Sequence, residues 1–358
     1  MTAATESGLR ELVAKHAIEN ALAVHSRGVD RADYNLLASA YHDDATVDYG
    51  FFVGPARRLA EILAGAQKGQ PVTMHRTSNM WIAVDGDEAR SESYVVAAIE
   101  QPNPAGAIRC MVGGRYLDSH ACRASTWRLT HREYVMDWNT NRPSTSNWPE
   151  PTVALGQFLP RGGQGAADPG RALLAAAYTS VNHLGGRAVS AKPRDAEVDM
   201  VLSKQALHEL CMAYARGVDR TDPTLLASLF HEDSSVISGV INASGPQFAR
   251  EITEFVRGNL ERCFHSVANT WFEIDGDGAV GESYVIAVAT AGGNDVMTGG
   301  RYIDAFERRN GKWKFKSRSF VIDWTSTQPT SYESGGMYAA LTTRGSFGTD
   351  DPVYAFWK

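Results

Sequence analysis

Arg27-Gly28-Val29-Asp30-Arg31 returns as Arg216-Gly217-Val218-Asp219-Arg220, and the landmarks that follow return in the same order. His75, Asn79 and Trp81 match His265, Asn269 and Trp271; Gly113-Gly114-Arg115-Tyr116 matches Gly299-Gly300-Arg301-Tyr302; Arg132 and Asp137-Trp138 match Arg318 and Asp323-Trp324. The offset is 189 at Arg27/Arg216, 191 at Gly54/Gly245 and 186 at Gly113/Gly299. Such steady spacing requires two copies of one domain of roughly 140 residues rather than a short solenoid repeat. The expected division is 1–145 for the first domain, 146–200 for a Pro/Gly-rich crossover, and 201–358 for the second domain with its tail.

At 358 residues and 43 % hydrophobic content the chain can fill two cores of ordinary size. A net charge of -6, with no Lys/Arg run, argues against nucleic acid or an anionic membrane as partner. No apolar stretch approaches a membrane span and the first ten residues lack a signal-like core, so a cytoplasmic protein is expected. Cys110, Cys122, Cys211 and Cys263 do not match between copies and form no C-x-x-C pair; they read as small apolar residues.

Each copy opens with helical stripes, Ile18, Ala21, Leu22, His25 and Leu207, Leu210, Cys211, Tyr214, which the Gly28-Val29-Asp30 and Gly217-Val218-Asp219 segments are expected to end, Gly28 and Gly217 suiting a C-terminal position. A second helix is expected after Asp33 and after Asp222-Pro223, running through Tyr41 and Phe230, and a third after Gly54-Pro55 and Gly245-Pro246. The period then changes to two, and Asp85-Gly86, Asp275-Gly276 and Asn310-Gly311 signal hairpins, so consecutive strands should pair antiparallel. Three helices on a curved antiparallel sheet make an α+β domain with a pocket between the layers. The crossover is expected to carry a short helix near Arg171–Tyr178. The aromatic end, Tyr354–Trp357, is expected either to cover a pocket or to fray.

Asp30 with His75, and Asp219 with His265, are the candidate general bases, since a carboxylate that holds an imidazole in one tautomer raises its basicity. Arg132 and Arg318 are candidates for stabilising a leaving anion, with sheet-stitching pairs to Asp137 and Asp323 as the alternative. Arg115 and Arg301 are expected to pair with Asp118 and Asp304 or with Asp neighbours on the sheet surface. His25 and Tyr214 occupy one repeat position and are candidate acids. Trp81, Trp138, Tyr94, Trp271, Trp324 and Tyr284 either line an aromatic pocket or fill the core. His42 and His231 precede acids, but no repeated ligand pair supports a metal, and nucleotide-cofactor and serine-hydrolase motifs are absent.

Helix-R-G-V-D-R, H-x-x-x-N, G-D-x-A, G-G-R-Y-x-D and W-[RK]-[LF]-x-x-R followed by D-W resemble the SnoaL-like branch of the nuclear transport factor 2-like superfamily. Within it the pattern is most similar to the hexachlorocyclohexane dehydrochlorinase and bile-acid dehydratase group. The resemblance covers residues 10–140 and 200–326. It implies cone-shaped α+β barrels and cofactor-free lyase, dehydratase, isomerase or aldol-type cyclase chemistry. The group's catalytic Asp and His fall on Asp30 and His75 and on Asp219 and His265, and its strand Arg on Arg132 and Arg318. The dehydratase's helical Tyr falls on Tyr214 but meets His25 in the first copy; the dehydrochlorinase's Lys there is absent from both copies.

The expected function is therefore a cofactor-independent lyase of aromatic compound catabolism that eliminates a small group, water first, from a hydrophobic, aromatic hydroxylated molecule. Retro-aldol release of formaldehyde from an aromatic diol is the alternative, and a non-catalytic tandem binding protein is the reading from another class. A homo-oligomer of the tandem chain is the expected assembly.

Overall fold

The computed structural model describes residues 3–71, 73–144 and 195–358, with residues 152–153, 156–157, 164 and 167–168 between them. The first copy runs α1 (Ala3–Asp30), α2 (Tyr34–Ser39), β1 (Tyr41–Asp48), β2 (Val53–Pro55), α3 (Ala56–Gln67), β3 (Met74–Asp85), β4 (Glu88–Gln101), β5 (Ile108–Arg123) and β6 (Thr126–Pro143). After the short β7 (Thr152–Val153) and β8 (Gly156–Gln157), the second repeats the order. Its elements are α4 (Asp195–Asp219), α5 (Pro223–Ser228), β9 (Phe230–Ile237), β10 (Asn242–Ser244), α6 (Gly245–Asn259), β11 (Arg262–Asp275), β12 (Gly278–Ala291), β13 (Asn294–Arg309) and β14 (Lys312–Pro329). The helix expected near Arg171–Tyr178 and most of the crossover lie outside the described residues. Among the described residues no helix is long and apolar enough to cross a membrane.

Each copy is an α+β unit with a six-stranded sheet in the order β2-β1-β6-β5-β4-β3, or β10-β9-β14-β13-β12-β11. Strands β3 to β6 are antiparallel neighbours, as the hairpin signals require. The first strand departs from that rule. Tyr41 and Phe230 do not extend the second helix but begin β1 and β9, which pair parallel to β6 and β14. Tyr41 and Phe230 are better formers of a pleated, half-buried surface than of a helix end.

Asp33 and Asp222 cap α2 and α5, accepting the Leu36 and Leu225 amides at 3.0 and 2.8 Å. Both opening helices end within the Gly-Val-Asp segment, α1 at Asp30 and α4 at Asp219. The missing side chain of Gly28 lets α1 approach α2, since a Cβ there would stand 2.6 Å from the Leu37 Cα. The chain turns one residue after Arg31 and Arg220, at Ala32 and Thr221, both in the left-handed region.

The tail after β14 crosses back to the first copy. Ser331 and Glu333 bond Asn141 and Asn139, Thr343 and Gly345 bracket the Met136 backbone, and Val353 packs on Leu117 and Val135. Gly345 passes so close to Asp137 that a Cβ would meet its Oδ1. Residues 330–358 therefore cover the sheet of the first unit, whereas the sequence reading assigned them to the second; Asp351, carried into a buried arginine cluster, holds them there. The second unit also begins earlier than expected, with α4 starting at Asp195.

Candidate active sites

Both helix-terminal acids meet the histidine at the start of the long hairpin. Asp219, the last residue of α4, accepts the His265 backbone N–H at 2.9 Å and Nδ1 at 2.6 Å. Asp30 does the same for His75 at 2.9 and 2.7 Å, and also accepts Thr73 Oγ1 at 2.8 Å. A carboxylate only accepts, so Nδ1 carries the hydrogen and the lone pair of the neutral ring is left on Nε2. Burial alone would push His265 down, but the Asp219 carboxylate, with a smaller contribution from Cys263, more than offsets it and leaves the imidazole well above 6.5. Asp219 is held below the usual carboxylate value, burial notwithstanding, chiefly by His265.

Each histidine lines a cavity. The second copy's, about 340 Å3, has Tyr214, Phe248, Val256, Cys263, Tyr302 and Phe320 among its walls. The first copy's, about 250 Å3, has His25, Tyr49, Tyr116, Tyr134 and Val95 beside His75. The repeat has thus kept the Asp/His pair and changed the walls: Tyr134 answers Phe320, and Tyr49 answers Ser238.

Tyr214 stacks on Phe248 and meets Tyr302 edge-on at 5.4 Å. Burial pushes its hydroxyl up to about 12, with Arg318 pulling against that rise. A neutral phenol is thereby kept in the cavity that His265 lines. His25 departs from the expected acid role as an imidazolium: burial, with Arg132 and His75 nearby, holds it well below 6.5. Its ring nitrogens instead meet the Tyr41 and Tyr49 hydroxyls at 3.0 and 3.4 Å. Tyr49, Tyr116 and Tyr134 bring further phenols to the first cavity. Tyr116 and Tyr302 stand in the repeated Gly-Gly-Arg-Tyr, where alternation along β5 and β13 puts them opposite the preceding Arg.

Arg132 and Arg318 do not reach either cavity. Each is fully buried in a bidentate pair, Arg132 with Asp118 at 2.7 and 2.7 Å and Arg318 with Asp304 at 2.8 and 2.8 Å. Arg132 lies 3.7 Å from the Tyr116 ring centre and Arg318 4.0 Å from that of Tyr214. Each guanidinium thus stands over a phenol ring, not at a cavity wall. The acid partners are exchanged relative to the sequence reading, because Arg115 takes Asp137 and Asp351 instead of Asp118, and Arg301 takes Glu282. Asp118 and Asp304 pair across the ladder with Arg132 and Arg318 in register, which decides the partner.

The aromatic candidates separate from the pockets for the same reason of alternation. Tyr94 and Trp138 sit on the outer sheet face and pack on Phe264 of the second copy at 4.9 and 5.7 Å. Trp81 covers Arg216 and Trp357, and Tyr284 faces solvent. The side chains of Trp271 and Trp324 lie outside the described residues. Neither Tyr354 nor Trp357 reaches either histidine's cavity; Met337, Tyr338 and Leu341 of the same tail close the first one. Met337→Ala in a His265→Ala background, where only the first site can turn over, is expected to raise KM about three- to tenfold through lost apolar contact, with an unchanged melting temperature.

His42 and His231 bond the Ala121 and Glu307 carbonyls, a structural role. Asp219, Cys263 and His265 bring one ligand atom each within 4.8 Å of one another. The 2.6 Å between Asp219 Oδ1 and His265 Nδ1 is nevertheless a hydrogen bond and too short for two donors on one zinc-like ion, which at roughly 2.0 Å each stand farther apart. Thr73 replaces the thiol in the first copy.

A SnoaL-like domain model matches residues 10–133 and again 199–319. This chain belongs to the SnoaL-like family. Gamma-hexachlorocyclohexane dehydrochlorinase of Sphingobium indicum is 25% identical over 133 residues, 36% of this SnoaL-like chain and 85% of the relative. A crystal structure of LinA is 23% identical over 37% of the chain and 93% of its own, with a TM-score of 0.36. A putative scytalone dehydratase from Novosphingobium aromaticivorans is 22% identical over 38% and 97%, with a TM-score of 0.33.

Proposed function

We propose that this SnoaL-like tandem is a cofactor-independent lyase that removes water from a hydrophobic, aromatic hydroxylated small molecule. The observation that carries the reading is His265, fixed through Nδ1 by Asp219, in a largely apolar cavity beside Tyr214 and Tyr302. Nε2 takes a proton from the carbon next to the one bearing the hydroxyl. The C–H electron pair becomes the double bond, the C–O bond breaks, and Tyr214 gives its proton to the departing oxygen, so that water leaves. Asp219 stabilises the imidazolium. Return of that proton to the tyrosinate, through solvent, resets the site. The dehydrochlorinase relative performs an elimination by name, which supports the reaction class. In the first copy His75 and Asp30 would play the same parts with Tyr49 or Tyr116 as donor, on a substrate with more polar groups.

The test is mass spectrometry of hydroxylated aromatic dimers, steroids and terpenoid alcohols incubated without added cofactor with wild type, His75→Ala and His265→Ala. Loss of water that one substitution abolishes is the expected result and names the working copy. Release of formaldehyde would move the reaction to carbon–carbon cleavage, and no mass change with retained ligand binding would replace the lyase by a binding protein.

A further inference from the structure

His265 sits on β11, the last strand of its sheet, where backbone groups on the outer side meet no further strand of that sheet. Side chains meet them instead. Arg220 Nη2 donates to the Cys263 carbonyl at 3.2 Å, and the His265 N–H donates to Asp219 at 2.9 Å. The next two groups are met from the other copy: Asn79 Nδ2 donates to the His265 carbonyl and Asn79 Oδ1 accepts the Val267 N–H, each at 2.7 Å. One carboxamide thus spans the Ser266 position as a residue of a parallel strand would. A carbonyl on one side and an N–H on the other call for a donor and an acceptor together, which an amide side chain supplies.

The backbone of β3 sets this side chain in place. The β3–β4 ladder slips between Ser78 and Trp81, and Asn79 stands in the slip at φ +47°, a conformation asparagine adopts more readily than most residues. It is buried, and Ser78 and Arg76 beside it bond Ser266 Oγ at 2.9 and 3.0 Å. We infer that Asn79 is a positioning residue for the base of the second site, so that this site is completed by a side chain of the first copy. The His265 backbone is gripped on both sides, through N–H by Asp219 and through C=O by Asn79. Asp219 also holds the ring, so a swing of the peptide would misalign Nδ1 and its carboxylate. The side chain of Asn269, the repeat counterpart of Asn79, lies outside the described residues. An effect on kcat rests on the reading of His265 as base, whereas an effect on its titration needs no substrate.

Asn79→Gly removes the carboxamide and keeps the left-handed backbone without strain. In a His75→Ala background it should lower kcat about 10- to 100-fold at unchanged KM, the cost of misplacing a base by about 1 Å or less. By NMR without substrate, the His265 ring, which Asp219 holds well above 6.5, should titrate at a lower pH, and the acid limb of kcat should move with it. Ser78→Ala, which removes a bond of the same seam but none to the His265 backbone, should move neither. Should the glycine variant fail to fold by circular dichroism, Asn79→Asp decides in its place. It keeps the shape and the Val267 bond but sets an acceptor against the His265 carbonyl, and it should show the same loss of kcat; a kcat within threefold of wild type would overturn the inference. So would an unchanged His265 titration in folded Asn79→Gly, whatever its melting temperature, which would leave Asn79 as a stitch between the copies. Equal shifts in Asn79→Gly and Ser78→Ala would overturn it as well, since the seam and not the carboxamide would then hold the base. A shifted titration with no turnover of any compound would uphold the clamp and remove the lyase.

Discussion

Asp219→Asn is expected to lower kcat at the second site by about 10^3- to 10^4-fold while the protein stays folded. Both carboxylate oxygens are in use, one on the His265 backbone N–H and one on Nδ1. An amide has one oxygen. The buried backbone donor claims it, because an unsatisfied buried N–H costs about 1–3 kcal/mol, and the amide NH2 then faces Nδ1. The ring must accept there, so its hydrogen moves to Nε2 and the base presents a donor to the cavity. The pH profile separates this from simple damage. In wild type the neutral base accumulates only as pH rises through a value well above 6.5, so the acid limb of kcat lies there; without the carboxylate, residual activity should show a limb shifted down. Stability has the opposite sign: with the folded value raised, the pair's contribution is full below about 6.5 and is lost as pH rises through the folded value. An Asp219→Asn enzyme within threefold of wild type would remove His265 from the role of base.

The duplication and the Asp/His pairs were legible in the sequence because each rests on a local pattern repeated in register, and two copies serve as one another's control. Strand β1 was misread because Leu36, Leu37, Ala40 and Tyr41 fit a helical stripe as well as a helix followed by a strand; length alone separates them. The Arg132 and Arg115 partners were misassigned since acids lie within a few residues of each along the chain, and only the strand register says which face each one shares. Tyr116 and Tyr302 were not among the candidates, although alternation from Arg115 and Arg301 sends them inward. Alternation could not tell which of the outward aromatics would be covered, because what covers Tyr94 and Trp138 is the other copy, and what covers Val135 and Leu117 is a tail more than two hundred residues away.

The cluster that fixes this tail gives the second large effect: Asp351→Ala is expected to destabilise the protein by about 3–5 kcal/mol, roughly 5–15 °C in melting temperature. Asp351 is fully buried and takes Arg115 Nη1 and Nη2 at 2.7 Å each, Arg220 Nη1 at 3.1 Å and the Ser346 amide at 2.9 Å. Despite burial, Arg115 and Arg220 hold it well below the usual carboxylate range. Alanine leaves two buried guanidiniums to share Asp137, which already bonds both. Because a depressed carboxylate contributes above its unfolded value of about 3.9, the wild type's advantage over the variant should be full at neutral pH and shrink as pH falls below about 4. The loss should also reach the chemistry. Arg220 Nη2 holds the Cys263 carbonyl at 3.2 Å, two residues from His265, while Asn79 of the first copy holds the His265 carbonyl at 2.7 Å. Loosening Arg220 therefore loosens one support of the base beside those from Asp219 and Asn79, and kcat at the second site should drop although Asp351 touches neither cavity. Differential scanning calorimetry beside kcat, with Asp351→Asn as a gentler variant that keeps the Ser346 bond, checks both parts. An unchanged melting temperature would mean that Asp137 and Glu92 suffice to neutralise the cluster, and an unchanged kcat with a lowered melting temperature would mean that Asp219 and Asn79 position His265 without Arg220.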